Sequence, residues 1–248
     1  MEKLCKLLFE LSSIERMNVM LELQKQRLKL SHISKKLDMT VTEASRHLQR
    51  LSEAKLIQKD VDGLYGLADF GNLTLSLLSG ICFISENRQY FLEHDLSRLP
   101  SEFVERIGEL SSVSLGTADV MTSFRLSEIM LQEASEYMWI LSDQVLTSTV
   151  PIIGERMKRG VEFRFIFPEN LVAPPGVKPV HGAQRRALPR VEEIILMTEK
   201  EAMFGFPYLN GKLDYALLIG KDPESHKWCK DLFLHRWEKA TPAPSPAK

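Results

Sequence analysis

The sequence predicts a small winged helix-turn-helix unit, a linker helix and a larger α/β domain. Three observations predict this order. Short helical patterns precede an Asp-Gly turn within the first 68 residues, a strongly apolar helical pattern follows, and short strands alternate with helices after Ser111. The predicted segments are 1–68 for the winged helix, 69–100 for linker and dimerisation helices, 101–240 for the α/β domain and 241–248 for a disordered tail.

The composition is that of a globular protein. The chain has 248 residues, is 44% hydrophobic and 26% charged, and has a formal net charge of −1. Its three cysteines are widely spaced with no CxxC pair, which argues against a disulfide framework or a zinc finger and favours a reducing compartment. The most apolar run, 73–84, is too short to span a bilayer, so we expect a cytoplasmic protein without a membrane partner.

The charges are unevenly distributed. Residues 1–68 carry twelve Lys and Arg against nine Asp and Glu, which gives +3 and leaves −4 for the remainder. A locally basic segment indicates contact with a polyanion.

Four helices are predicted before the turn. Leucines at helical spacing predict the first, and Ser12 or Ser13 is the expected cap of the second. Ser31 is the expected cap of a short third helix over 31–38. A turn over 39–42 then leads to a fourth helix over 43–54, where Thr40 and Glu43 have the spacing of a capping box.

A β-hairpin is predicted directly after the fourth helix. Asp62-Gly63 lies between two short apolar runs, 56–57 and 64–67, which is a strong hairpin signal. A helix-turn-helix followed by a hairpin is a winged helix. We expect the internal core of the unit to contain Leu37, Val41, Ala44, Leu48 and Leu51.

The polar side chains of the fourth helix and the hairpin are the candidate DNA contacts. Residues of these types can bond base edges and phosphates in a major groove. The candidates are Thr42, Ser45, Arg46, His47, Gln49, Arg50, Lys59 and Tyr65. Two interpretations compete with this one: a plain solvated helix, and a structural wing whose Asp60 and Asp62 repel phosphates.

The stretch LQRLSEAKLIQKDVDGLYGLADFG resembles the recognition helix and wing of archaeal and bacterial winged-helix regulators of the arsenic-repressor type. Lys55 stands where that family has a glycine, and Ala68 stands where it has a threonine. The resemblance implies double-stranded DNA as the partner.

The segment from Ala68 to about Glu93 is predicted to be helical, with apolar residues on too many sides for a solvated linker. We therefore expect it to pack against a second copy in a homodimer.

The C-terminal part alternates between strands and helices. Strands are predicted over 113–115, 137–141, 161–167, 191–198, 202–208 and 215–219, and helices over 119–136, 147–158 and 222–239. Residues 169–182 are rich in proline and glycine and are predicted to form a loop.

The segments NGKLDYALLIGKDP and WCKDLFLHRWEKA resemble the domain of the archaeal methanogenesis (filament) regulatory protein family. His235 and Arg236 replace the tyrosine pair that members of that family often have before the last tryptophan. The resemblance implies an archaeal transcription regulator whose C-terminal domain has a phospholipase D-like α/β fold and acts as a sensor.

A basic cluster beside the predicted loop is the candidate site for a small anionic effector. It comprises Arg185, Arg186 and Arg190, with Tyr208 and Tyr215 as further candidates. A solvated loop explains the arginines equally well.

The phospholipase D-like resemblance raises an enzymatic alternative. Such enzymes use HxKxxxxD, but the position two after His226 is Trp228, and no second copy of the motif is present. His226, Cys229 and His235 lack a fourth metal ligand. We therefore expect a regulator with no enzymatic activity, metal or cofactor; a winged helix that binds protein, or a phosphodiesterase, are the alternatives.

Overall fold

The computed structural model describes residues 1–115, 119–177 and 180–243. The chain forms two compact units, Met1–Ser79 and Gly80–Lys248. The predicted linker, 69–100, is divided between them. The first unit contains α1 (Glu2–Leu11), α2 (Ile14–Lys25), α3 (Leu30–Lys36), α4 (Val41–Glu53), β1 (Ile57–Lys59), β2 (Tyr65–Leu67) and the start of α5 (Asp69–Glu86).

Local capping explains where α2 and α4 begin. The Ser13 hydroxyl accepts a hydrogen bond from the Arg16 amide. The predicted capping box is confirmed, because Thr40 accepts from the Glu43 amide while the Glu43 carboxylate accepts from the Thr40 amide. The predicted third helix is present as α3, but the prediction that Ser31 caps it is wrong, because α3 begins at Leu30 and Ser31 lies inside it.

The turn before α4 has the predicted four residues but lies two positions earlier, over 37–40, because α3 ends at Lys36 and α4 begins at Val41. Val41 was expected in the core, but 55% of its surface is exposed. The first residue of α4 therefore faces solvent and does not belong to the core. The core of the unit is formed by Val19, Met20, Leu23, Leu28, Ile33, Ala44, Leu48, Leu51, Leu56, Ile57 and Leu75.

A Schellman motif ends α4. The amide of Leu56 donates to the carbonyl of Leu51, and the amide of Lys55 donates to the carbonyl of Ser52, both at 3.0 Å. Lys55 has a φ of 60°, in the left-handed region. Glycine is favoured at this position because it has no Cβ, so Lys55 carries backbone strain.

The predicted hairpin is confirmed and gains a third strand segment. β1 and β2 are antiparallel, with Ile57 opposite Leu67. Leu28 pairs with Tyr65 through two backbone hydrogen bonds of 2.8 and 2.9 Å. The Asp60 carboxylate accepts from the amides of Asp62 and Leu64, which closes the turn.

The second unit is built on one eight-stranded mixed sheet. Its helical elements are the end of α5, α6 (Arg88–Glu93), α7 (Ser101–Glu105), a 3-10 helix (Ile107–Leu110), α8 (Val120–Glu133), α9 (Thr149–Lys158) and α10 (Pro223–Lys239). Its strands are β3 (Ser114–Leu115), β4 (Tyr137–Leu141), β5 (Glu162–Pro168), β6 (Gln184–Leu188), β7 (Ile194–Thr198), β8 (Ala202–Gly205), β9 (Leu218–Gly220) and β10 (Thr241–Pro242). Their order across the sheet is β10-β6-β5-β4-β7-β8-β9-β3.

The strands β4, β5 and β6 are parallel, and the other pairings in the sheet are antiparallel. Helices cover both faces, and side chains alternate between them. Trp139 stacks on Phe233 of α10 with ring centroids 5.1 Å apart, whereas the adjacent Ile140 faces the side covered by α8 and α9.

The predicted fold class, a winged helix followed by an α/β domain, is confirmed. Two local differences lie at the sheet edge. A strand, β6, occupies 184–188, where a solvated loop was the alternative, and Thr241–Pro242 pairs with it although a disordered tail was expected from 241. Of that predicted tail, 244–248 lie outside the described residues, as do 178–179 of the predicted loop.

Candidate nucleic-acid interface and ligand cavity

The exposed face of α4 carries four of the predicted DNA contacts. Thr42, Ser45, Arg46 and Gln49 are all exposed. The Gln49 side-chain amide donates to Glu53 at 2.9 Å. Because α4 buries Ala44, Leu48 and Leu51 on its other face, this polar surface is held outward by the core.

His47 was predicted among the DNA contacts, but it is buried. It shares the inward face of α4 with Ala44 and Leu48. Burial, together with the nearby Arg46, lowers the pKa of the imidazole. Its Nδ1 has no hydrogen-bond partner among the described atoms. The structure therefore assigns His47 to the interior of the unit.

Arg50 was predicted to be exposed, but it is held against α1. Its Nη2 and Nε lie 2.7 and 3.0 Å from the two carboxylate oxygens of Glu10, and its guanidinium lies 5.1 Å from the Phe9 ring. The hydrogen bond from Arg50 is the main cause that lowers the pKa of Glu10, and Arg16 adds to it. This bidentate pair fixes the direction of the side chain.

The wing presents Lys59 to solvent. Its ammonium lies 5.2 Å from the ring of Tyr65, which is itself half-buried. The acidic residue at the base of the wing tip is paired, since Asp60 accepts from Arg27 at 3.1 Å. The pKa of Asp60 is lowered, chiefly by the Leu64 amide. Sequence reasoning missed Arg27, because 33 positions separate it from its partner.

The predicted effector residues do not form one site. Arg185 and Tyr215 line a cavity of about 250 Å³ in the second unit. Arg186 lies elsewhere: it donates to the Trp237 carbonyl at 2.6 Å and stacks over that ring at 4.6 Å. Arg190 is exposed, and its Nη2 lies 3.4 Å from the Gly211 carbonyl oxygen.

Tyr208 also lies apart from the cavity. Its ring stacks on His94, with centroids 4.6 Å apart. His94 is buried and bonded to Asp214 at 3.0 Å, and Tyr90 stacks on its other side at 3.7 Å. This packed cluster fixes the position of Tyr208 in the fold.

The cavity lies between the sheet and the α8–α9 layer. Its floor is formed by alternate residues of four strands, among them Ile140, Phe163, Phe165 and Leu196. The Tyr215 hydroxyl donates a short hydrogen bond to Asp143, and burial raises the pKa of the phenol. Asp143 has no motif around it that would have singled it out in the sequence.

The residues considered for catalysis or metal binding are committed to packing. His226 Nε2 lies 2.7 Å from the Thr198 carbonyl oxygen, and Trp228 donates to the Phe103 carbonyl. Cys229 is fully buried, which raises the pKa of its thiol. His235 lies 3.0 Å from Glu102. Among the described residues, no group of three His, Cys, Asp or Glu side chains is placed to hold a metal ion.

Several solved structures resemble the chain at low identity. The archaeal chromatin protein TrmBL2, whose structure is described as showing a novel mode of DNA binding, has 17% identity and a TM-score of 0.43 over 88% of each chain. Nuc, a phospholipase D family member from Salmonella typhimurium, has 12% identity and a TM-score of 0.41 over 54% of this chain and 99% of its own. NucT from Helicobacter pylori has 11% identity and a TM-score of 0.42 over 53% and 98%.

No family model and no curated protein matches the chain. The resemblance of the C-terminal segments to the methanogenesis (filament) regulatory family therefore stays a prediction. In the described part of the chain, every helix is too short or too polar to cross a membrane.

Proposed function

We propose that the protein is a transcription regulator that binds double-stranded DNA through its winged helix. One observation carries this proposal: the exposed face of α4 presents Thr42, Ser45, Arg46 and Gln49 together, on a helix whose other face is anchored in the core. In winged helices and related folds, the second helix of the helix-turn-helix enters the major groove.

In this arrangement, the side chains of α4 meet base edges and phosphates, and Lys59 on the wing meets the backbone. Arg46 supplies the main charge on the helix, because Arg50 is bound to Glu10. The pairing of Asp60 with Arg27 reduces the repulsion that an acidic wing tip would exert on phosphates.

We further propose that the protein acts as a homodimer through α5. Three apolar side chains lie within one sector of about 60° on the part of this helix that belongs to the first unit: Phe70, Leu73 and Leu77. All three are exposed, and Leu77 exposes 71% of its surface. Their 3,4 spacing matches that of helices that pack against a second copy, and a two-fold dimer reads paired half-sites.

The second unit is proposed to bind an anionic effector and to have no catalytic role. Arg185 and Tyr215 at the cavity support binding. Trp228 supports the proposal that the unit has no catalytic role. It stands where phospholipase D-type chemistry requires a lysine, and its indole is fully buried.

The test is fluorescence anisotropy of the full chain with the DNA upstream of its own gene, over a series of salt concentrations. We expect Arg46→Ala to weaken binding. The matched control is Arg125→Ala, which removes the same charge from an exposed position on α8. Equal binding by the parent and Arg46→Ala at every salt concentration would refute the assignment of α4 as the DNA-reading helix. No binding of DNA by the parent would favour the alternative, a winged helix that binds protein.

A further inference from the structure

The cavity between the sheet and the α8–α9 layer has the properties of a binding site for an amphipathic acid. We propose that it holds the alkyl chain of an amphipathic acid whose anionic head group binds Arg185. This inference rests on the proposed function only where ligand binding is linked to DNA affinity. The binding itself is a property of the second unit.

The walls of the cavity are suited to an apolar body. Three phenylalanines of β5, Phe163, Phe165 and Phe167, project from the same side of the strand into it. The polar side chains of α8 and α9 in the lining are occupied locally: Ser127 donates to the Ser123 carbonyl at 2.9 Å, and Thr149 donates to the Leu146 carbonyl at 2.7 Å. A ligand here gains mainly from the removal of apolar surface from water.

One charged residue marks the end that receives the head group. Among the lining residues within the described ranges, Arg185 alone carries a formal charge. It is half-buried on β6, with its guanidinium 6.0 Å from the Phe167 ring. A guanidinium next to apolar walls favours a planar or tetrahedral oxyanion, because its fork can bond two oxygens at once.

The volume admits a ligand much larger than a water molecule. One water molecule requires a cavity of about 10–15 Å³. The cavity of about 250 Å³ therefore has room for an alkyl chain of several carbons.

The experiment is titration calorimetry of the full chain, without DNA, with hexanoate, octanoate and decanoate. We expect the Kd to fall about fourfold for each added methylene that the cavity buries, since each buried methylene contributes about 0.8 kcal/mol. Octanol and octylamine test the head group, and octyl phosphate distinguishes a carboxylate from a phosphate ligand.

The variants separate the head group from the chain. Arg185→Gln should weaken octanoate binding about 10- to 100-fold and leave octanol unchanged. Arg159→Gln is the matched control, because it removes an exposed arginine at the end of α9. Ala183→Leu should reduce the affinity for octanoate more than that for hexanoate, because Ala183 lines the cavity. Circular dichroism and thermal melting confirm that each variant is folded.

Octanol binding as tightly as octanoate, or an unchanged Kd in Arg185→Gln, would overturn the assignment of the head group. No binding by any chain length would overturn the site as a whole. The DNA experiment is scored separately: a protein that binds octanoate but no DNA refutes the regulator and leaves the site intact. An octanoate-dependent change in DNA affinity that is lost in Arg185→Gln would support the link between them.

Discussion

Two arginines one turn apart on α4 should respond differently to the same substitution. Arg46 is exposed on the outward face, whereas the guanidinium of Arg50 is bound to both carboxylate oxygens of Glu10. From the sequence alone, both are candidate DNA contacts. From the structure, we expect Arg46→Ala to reduce DNA affinity and Arg50→Ala mainly to reduce stability.

The size of the Arg46 effect depends on what the side chain meets. If it reads a base, the loss is about 1–3 kcal/mol, or about 5- to 150-fold in Kd. If it meets a phosphate, the slope of log K against log salt becomes less steep by about 0.9 per protomer, and by twice that in a dimer. Stability should change little, because the side chain is exposed.

Removal of Arg50 acts on the native fold. It leaves the carboxylate of Glu10 with the buried Arg16 as its remaining ion-pair partner in the described structure, and it exposes one face of Phe9. We therefore expect a lower melting temperature for Arg50→Ala, with DNA affinity close to the parent value when measured well below that temperature.

The two effects are measured by anisotropy titrations at four or more salt concentrations and by thermal melting of the same samples. The reasoning is refuted if Arg50→Ala loses as much DNA affinity as Arg46→Ala while melting at the parent temperature. That result would mean that Arg50 leaves Glu10 to bind DNA.

Three further outcomes are expected. Lys55→Gly should stabilise the protein by about 0.5–1 kcal/mol in thermal melts. The left-handed conformation costs a residue with a Cβ roughly 1–2 kcal/mol, and the greater freedom of glycine in the unfolded chain offsets part of this gain. Lys55→Ala, which keeps the Cβ, should give no such gain. Leu77→Glu should convert a dimer to a monomer in sedimentation, whereas the adjacent exposed Ser76→Glu should not. The folded-state pKa of Glu10 is held below 4.5, so the ionised carboxylate contributes fully to the free energy of unfolding above that pH. This contribution is lost as the pH falls through the lowered pKa. In melts across pH 3–6, the melting temperature of Arg50→Ala should therefore fall less with decreasing pH than that of the parent.

Local sequence signals predicted the elements of the first unit well. The capping box of Thr40 and Glu43, and the hairpin at Asp62-Gly63, depend on residues within a few positions of one another. Such signals can be read directly from the sequence because the hydrogen bonds that they form are local. The positive φ of Lys55 was not predicted, although Lys55 stands where the regulators that this stretch resembles have a glycine.

Long-range pairing could not be read in the same way. Glu10 and Arg50 are 40 positions apart, and each alone is an ordinary exposed charge on an amphipathic helix. His47 shows a related difficulty. Its polar ring suggests an outward position, but it follows Ala44 by three residues and precedes Leu48, so helical geometry turns it toward the core. Tertiary packing decided both positions.

In the basic cluster at 185–190, the formation of a strand over 184–188 changes which arginines can bind the same ligand. If this segment were a loop, the side chains of Arg185 and Arg186 could bind the same anion. As β6, parallel to β5 with Arg185 opposite Phe165, the two side chains must point to opposite faces of the sheet. The side chain of Arg185 then lines the cavity, and that of Arg186 contacts Trp237 of α10. Among the described lining residues, Arg185 is the one that carries a formal charge, which favours a monoanion with an apolar body over a small, multiply charged metabolite.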